Sequence, residues 1–205
     1  MRTIEVKLYQ FDELETEQAK DNARYWYRSS DEFDVDCILD EFVEVATACG
    51  FCLQTRPVRL MDGTNRYDPV IHFEIGGRGE NASFDGSWSA SRVDLQACKV
   101  IAENRPLDTE TLRILSAFQA LAVRFPDATG TASSEGRSRY QSADFDTNSD
   151  EVNDAECDFS ELVKALAEQL QRALSAEYEY QNSDEYVDDC IRANEYEFTA
   201  DGTRA

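Results

Sequence analysis

The chain has 205 residues, and 42 Asp and Glu against 20 Lys and Arg give a formal charge of −22 and an isoelectric point near 4.3. That sign argues against direct binding of nucleic acid or an anionic membrane, because both require a basic stripe to neutralise phosphates. With 41% hydrophobic residues, 9 glycines and no run of 18 apolar residues, the composition excludes both a disordered acidic tail and a membrane span.

Charge is uneven along the chain. Residues 1 to 50 carry 13 acids and 5 bases, residues 51 to 139 carry 11 of each, and residues 140 to 205 carry 18 acids and 4 bases. A neutral, arginine-containing middle therefore separates two acidic ends. The N-terminus MRTIEVKLYQF reads as a strand, with Ile4, Val6 and Leu8 alternating with polar residues, and not as a secretory leader. The stretch from 15 to 28 predicts a helix with Leu14, Ala19, Ala23 and Tyr27 along one side. From 34 to 49, Val35, Ile38, Leu39, Phe42, Val45, Ala46 and Cys49 have amphipathic-helix spacing, and Gly50 stops the helix.

Between 51 and 90 the pattern becomes short β runs separated by MDGTN and GGRGEN, which predicts an antiparallel meander. Helices over 92–104 and 108–125 form a hairpin interrupting the sheet, and residues 128–148 hold one or two strands anchored by Tyr140 and Phe145. Asp158 and Glu161 have capping-box spacing before a stripe of Phe159, Leu162, Val163, Leu166, Leu170 and Leu174, which predicts a helix of some 20 residues starting there. Ser183 opens a shorter helix with Val187, Cys190 and Ile191, and residues 196–198 form a last strand. The fold class that follows is α+β: one domain over 1–205, an antiparallel sheet of five or six strands, helices on one side and a helical hairpin inserted between strands.

Chemical motifs fail on their own requirements. Cys49 and Cys52 make one CxxC, but zinc needs four ligands and no second pair exists. The six cysteines, scattered singly through apolar positions, fit reduced core thiols. His72 and Glu74 have the HxE spacing of a zinc deaminase without its PCxxC, and His72 is the sole histidine. Asp144, Asp146, Asn148 and Asp150 imitate an EF-hand opening, but Ser149 stands in place of the glycine and Ala155 in place of the bidentate glutamate. The GGRG at 76–79 lacks both the P-loop pattern and a following helix. No catalytic residue, metal or cofactor is assigned, and an enzyme is not expected.

What remains is the acidic surface. Asp36, Asp40 and Glu44 repeat every four residues opposite the apolar stripe, about 6 Å apart along the helix axis, a spacing that resembles a row of phosphates. Like charges at this spacing disfavour an isolated helix by a few tenths of a kcal/mol each, which invites a functional explanation. Asp31, Glu32, Asp34 and Glu41 flank the row, and Asp144, Asp146, Asp150, Glu151, Asp154, Glu177, Glu179, Asp184, Glu185, Asp188 and Asp189 complete the candidate partner-binding set. Converging, they would steer the protein to a basic groove and compete there with nucleic acid. The alternatives are a solvated face that aids solubility and a coat adapted to high salt.

The opening LYQFDELETEQAKDNARYWYR resembles a family of bacterial and prophage proteins whose N-termini read YxFDEL followed by AKxxAxxWYR. Tyr9, Phe11, Asp12, Glu13, Leu14, Ala19, Lys20, Ala23, Trp26, Tyr27 and Arg28 carry the likeness. At the other end, Tyr178, Tyr180, Ser183, Asp184, Glu185, Ile191, Asn194, Tyr196, Phe198, Thr199 and Gly202 resemble that family's tail. The segment Gly79–Trp88 is similar to its QGDGAxFxGxW run, departing at Arg78, Glu80 and Asn81. Members are often labelled antitoxin-like, and the resemblance implies a phage or mobile-element origin. Joined to the charge pattern, it leads to the expectation of a counter-defence protein of anti-CRISPR or anti-restriction type, cytoplasmic in a bacterial host and monomeric or homodimeric. Its partner would be a basic nucleic-acid-binding host protein. An antitoxin-like inhibitor of a basic toxin and a non-catalytic accessory protein are the alternatives.

Overall fold

Helices and short antiparallel strands alternate along the chain in the computed structural model, which describes residues 7–30, 33–77, 79–105, 108–135, 140–148 and 152–205. The strands are β1 (Tyr9–Gln10), β2 (Phe51–Leu53), β3 (Thr55–Arg59), β4 (Asn65–Pro69), β5 (Ile71–Glu74), β6 (Asn81–Phe84), β7 (Gly86–Ser89), β8 (Thr129–Glu135), β9 (Tyr140–Asp146) and β10 (Glu197–Phe198). The helices are α1 (Glu17–Ser30), α2 (Asp36–Ala48), α3 (Leu95–Asn104), α4 (Thr109–Arg124), α5 (Val152–Gln181) and α6 (Asp184–Ala193). The α+β class stands, and the α3–α4 hairpin enters between β7 and β8, which are neighbours in the sheet.

The described chain contains two compact units. Unit one joins Met1–Asp34 to Ala176–Ala205, and unit two is Val35–Ser175. In unit one the short pair β1–β10 brings residues 9–10 beside residues 197–198, with Tyr9 opposite Phe198. Phe11, Leu14, Ala19, Ala23, Tyr27, Val187, Ile191 and Phe198 form its buried cluster. Trp26 packs edge-on against Tyr196 and Phe198, with ring centroids 5.1 and 5.8 Å away. The apolar positions of α1 and α6 recur at helical spacing, so each helix buries one stripe. Gly202 closes the unit with φ +83°, and a Cβ there would lie 1.9 Å from the Ala19 carbonyl oxygen. Only glycine permits both that conformation and that approach.

In unit two the largest sheet has four strands in the order β2-β7-β8-β9, and β3–β4 and β5–β6 are separate two-stranded ribbons. This corrects both the single sheet of five or six strands and the meander. The physical reason is a three-way junction. The Gln54 N–H donates to Asp85 O (2.8 Å), the Val70 N–H to Gln54 O (2.7 Å) and the Asp85 N–H to Val70 O (3.0 Å). Each connecting residue thus gives its backbone hydrogen bonds to the next ribbon, and β2 skips to β7. The Gln141 amide acts as a further peptide group, accepting from the Phe84 N–H at 2.9 Å and donating to the Phe84 carbonyl at 3.2 Å.

Phe51, Phe84, Trp88, Phe118, Phe145 and Phe159 make the aromatic centre of this unit, with Trp88 and Phe145 within 5.3 Å of the Phe159 ring centroid. Such pairs contribute about 0.5–1.5 kcal/mol each beyond area burial. The Trp88 indole N–H donates to the Cys49 carbonyl at 2.7 Å, so its polar end is satisfied in the core. Helix α5 begins at Val152, one and a half turns before Asp158. Ala155, fully buried, extends the Phe159, Val163, Leu166, Leu170 stripe backwards, which explains why the helix does not start at the capping signal. The expected N-terminal strand falls largely outside the described residues. Where the sequence suggests core thiols throughout, Cys49 and Cys98 are buried and Cys190 half-buried, but Cys37, Cys52 and Cys157 are exposed.

Candidate functional site

The acidic residues divide between the units. Unit one has 64 residues, 34 from the N-terminus and 30 from the C-terminus, and carries 18 acids against 7 bases. Unit two carries 24 against 13 over 141 residues, so each unit has a net charge of −11 and unit one has about twice the charge density. Of the candidate set, Asp34, Glu177, Glu179, Asp184, Glu185, Asp188 and Asp189 lie in unit one. Asp36, Asp40, Glu41, Glu44, Asp144, Asp146 and Asp154 lie in unit two. Asp31, Glu32, Asp150 and Glu151 lie outside the described residues.

Several of these acids serve the fold. Asp188, on α6, receives both Nε–H and Nη2–H of Arg24 at 2.7 and 2.9 Å, and the two side chains are only 14% and 11% exposed. Arg24 also reaches Glu17 at 2.7 Å and Asp21 at 3.0 Å, so one guanidinium gathers three carboxylates. Hydrogen bonding to Asp188 holds Arg24 more firmly charged than usual. Arg28 donates to Asp184 at 2.6 Å, which keeps that carboxyl below its ordinary range, and Arg192 binds Asp12 and Asp189 at 3.0 Å. Asp188 is therefore a fold-holding residue, and Asp184 and Asp189 are partly neutralised. The lone signals for this in the sequence are Arg24, Arg28 and Arg192, bases spaced along helices amid acids.

The row on α2 is partly answered from within unit two. Arg105 sits 3.4 Å from both Glu41 and Glu44, and the charges of Asp36 and Asp40 reinforce the protonated state of Arg66, whose main partner is Asp68 at 2.6 Å. Asp40 and Glu44 are exposed, as the periodicity predicts. Asp144 and Asp146 project from β9 to solvent, and Asp154 is exposed on the first turn of α5. Asp40, Asp146, Asp154, Glu179 and Glu185 make no hydrogen bond or ion pair with the described residues.

Asp144 and Asp146 border an open groove of about 600 Å³ on the solvent side of β7, β8 and β9. Strand register places Ser87, Thr131 and Asp144 in one cross-strand row and Ser89, Thr129 and Asp146 in the next. Thr131 Oγ1 is 3.4 Å from Asp144, and Arg92 at the rim donates to the Ser87 carbonyl at 2.8 Å. Nothing in the sequence pattern shows this groove, because it depends on the pairing of β7 with β8, whose partnered residues are 40 to 46 positions apart. Among the described residues no group of three or more His, Cys, Asp or Glu is placed to hold a metal ion, and no helix is long and apolar enough to cross a membrane.

The model of a family described as a domain of unknown function, DUF8835, matches residues 35–184, all of unit two and the start of the C-terminal part of unit one. Neither the curated proteins nor the solved structures include a match. Of unit one the family model covers only residues 176–184, and the cluster of Phe11, Tyr27, Ile191 and Phe198 lies outside the match. The match spans well over half of the sequence, and the chain belongs to the DUF8835 family.

Proposed function

We propose that the protein is a counter-defence inhibitor of phage or mobile-element origin, which occupies the basic nucleic-acid channel of a host protein through its acidic surface. The observation that carries this reading is the surplus of carboxylates left after internal pairing. Arg24, Arg28, Arg105, Arg113 and Arg192 are already committed to carboxylates of the same chain. Asp40, Asp146, Asp154, Glu179 and Glu185 are exposed and make no hydrogen bond or ion pair with the described residues. Self-repulsion on this scale disfavours the compact state, and a basic partner relieves it. Exposed acids also raise association rates with a basic channel, an effect that weakens as salt rises. The likeness of both chain ends to prophage proteins supports the origin, and an inhibitor that acts by occupancy requires no catalytic group.

The test uses charge reversal at residues outside every internal ion pair. A variant carrying Asp40→Lys, Asp154→Lys, Glu179→Lys and Glu185→Lys should fold as the parent does and lose most of its capture of a nucleic-acid-binding protein from bacterial lysate. Undiminished capture by this variant would remove the acidic surface from the interface and with it the proposed function.

A further inference from the structure

One guanidinium of unit one departs from the others. Arg24, Arg28 and Arg192 each bind carboxylates of the same unit. Arg204 makes no ion pair among the described residues, although unit one carries 18 acids against 7 bases. Its guanidinium lies over the rings of Tyr196 and Trp26, 4.9 and 5.5 Å from their centroids, and one Nη–H donates to the Glu197 carbonyl at 2.7 Å. The nearest acid along the chain, Asp201, is engaged within its own loop, where Oδ1 accepts from the Thr199 hydroxyl at 2.6 Å and from the Thr203 N–H at 3.2 Å. Stacked on two rings and tied at one corner, Arg204 keeps its remaining donors for another acceptor.

The approach of the tail to α1 builds a site around it. Asn22, Tyr25, Trp26 and Ser29 recur at helical spacing on one face of α1. The tail crosses that face because the Asn22 amide donates to the Asp201 carbonyl at 2.7 Å and Gly202 lies against the Ala19 carbonyl. With Thr203 and Arg204 these residues enclose an open groove of about 500 Å³, within the range of small-molecule sites. Among the described residues that line it, Arg204 alone is charged, and Tyr25 is 76% exposed with no hydrogen bond to the described residues. At physiological salt, charges more than about 8 Å away are largely screened, so a ligand in the groove meets this lining before it meets the net charge of the chain.

A planar fork selects a planar anion, since guanidinium and carboxylate match in two parallel N–H···O bonds. Phosphate fits the fork too, but its second charge doubles the repulsion from a unit of net charge −11. The exposed Tyr25 ring favours an aromatic group beside the carboxylate, stacked offset or edge-on. We propose that the groove binds a carboxylate carried next to an aromatic ring, its oxygens on Arg204 and its ring on Tyr25. A free aromatic acid and the terminal carboxylate of a peptide ending in an aromatic residue share that chemistry. This proposal does not depend on the inhibitor reading.

Proton–nitrogen NMR of the 205-residue chain tests it, because Trp26 in the groove and Trp88 in the core of unit two give the two indole signals. Phenylacetate at millimolar concentration should shift the Trp26 signal saturably and leave that of Trp88 in place. Phenylacetamide, which lacks the charge, and inorganic phosphate should each bind at least tenfold more weakly. Arg204→Gln should weaken phenylacetate at least tenfold and Arg204→Lys nearly as much, because an ammonium is a point charge without the fork. Tyr25→Ala, at an exposed position, should weaken it about threefold and carries the test if circular dichroism shows that the Arg204 variants do not fold. An acetylated dipeptide ending in Phe separates the two sources. Tighter binding than phenylacetate, lost on amidation of its C-terminus, assigns the groove to a peptide end, and weaker binding assigns it to a small acid. Absence of a saturable shift at Trp26, equal shifts at both indoles, or equal affinity for phenylacetamide overturns the proposal. So does tighter binding of phosphate, or undiminished affinity in a folded Arg204→Gln or Tyr25→Ala variant.

Discussion

Arg24→Ala strikes the ion cluster that joins the two ends of the chain. In the parent the guanidinium bridges α1 to α6 through two hydrogen bonds to Asp188 and holds Glu17 and Asp21 as well. Truncation leaves the Asp188 carboxylate, only 14% exposed, facing the empty place of its partner, with Arg192 at 3.9 Å as the nearest remaining cation. Removing one member of a buried pair destabilises by about 3–5 kcal/mol, most of it the cost of an uncompensated buried charge. Each kcal/mol moves the midpoint of a domain of 60 to 100 residues by about 4–8 °C, so the fall in unit one exceeds about 12 °C. Trp26 lies in unit one and Trp88 in unit two, so fluorescence in a Trp88→Phe background follows the affected unit alone. Arg24→Met combined with Asp188→Leu should recover much of the loss, because it removes both charges together. A fall of less than about 4 °C for Arg24→Ala would mean that the cluster behaves as an ordinary surface pair and would falsify its role in holding α1 to α6.

Acid should weaken unit one in a defined direction. Arg28 holds Asp184, and Thr199 with Thr203 holds Asp201, below the ordinary carboxylate range when folded. Their stabilisation is therefore present above the unfolded pKa, about 3.9, and is lost as pH falls through the folded values. Asp184→Asn with Asp201→Asn should flatten the acid limb of a Trp26-monitored stability profile, and an unchanged limb would contradict this. Gly130→Ala should destabilise unit two by about 1–3 kcal/mol, because the new Cβ meets Phe159 at 2.7 Å and the Asp144 carbonyl at 2.8 Å. Urea titration measures it, and a neutral result would mean that the ring shifts freely. Thiol labelling of the native protein should modify Cys37, Cys52 and Cys157 quickly. Cys49 and Cys98, whose thiols burial pushes up, should react only on unfolding, with mass spectrometry assigning the sites.

Local periodicity carried most of the helices. The α2 stripe ending at Gly50 lies within two residues of the predicted span, and the Ser183 cap opens α6 with its hydroxyl accepting from the Tyr186 N–H. Where the sequence misleads, a local signal competes with a longer one. Asp158 has cap spacing, yet Ala155 continues the apolar register and lets α5 start earlier. The junction at Gln54, Val70 and Asp85 leaves no local trace, since each of its hydrogen bonds joins residues at least 15 positions apart. The same holds for the acids. Composition shows how many there are, but Asp188 paired with Arg24 and Glu185 in solvent sit three residues apart and look alike in the sequence. Only the packing of α6 on α1 separates a carboxylate that holds the fold from one free to meet a partner.

The most direct test of the acidic-surface account is competition. The 205-residue chain, immobilised and exposed to lysate of a bacterial host that carries CRISPR or restriction systems, should retain a nucleic-acid-binding protein. Added duplex DNA should release that protein in proportion to the length that fills its channel. A partner that remains bound at saturating DNA, or one with no nucleic-acid-binding surface at all, would contradict the account.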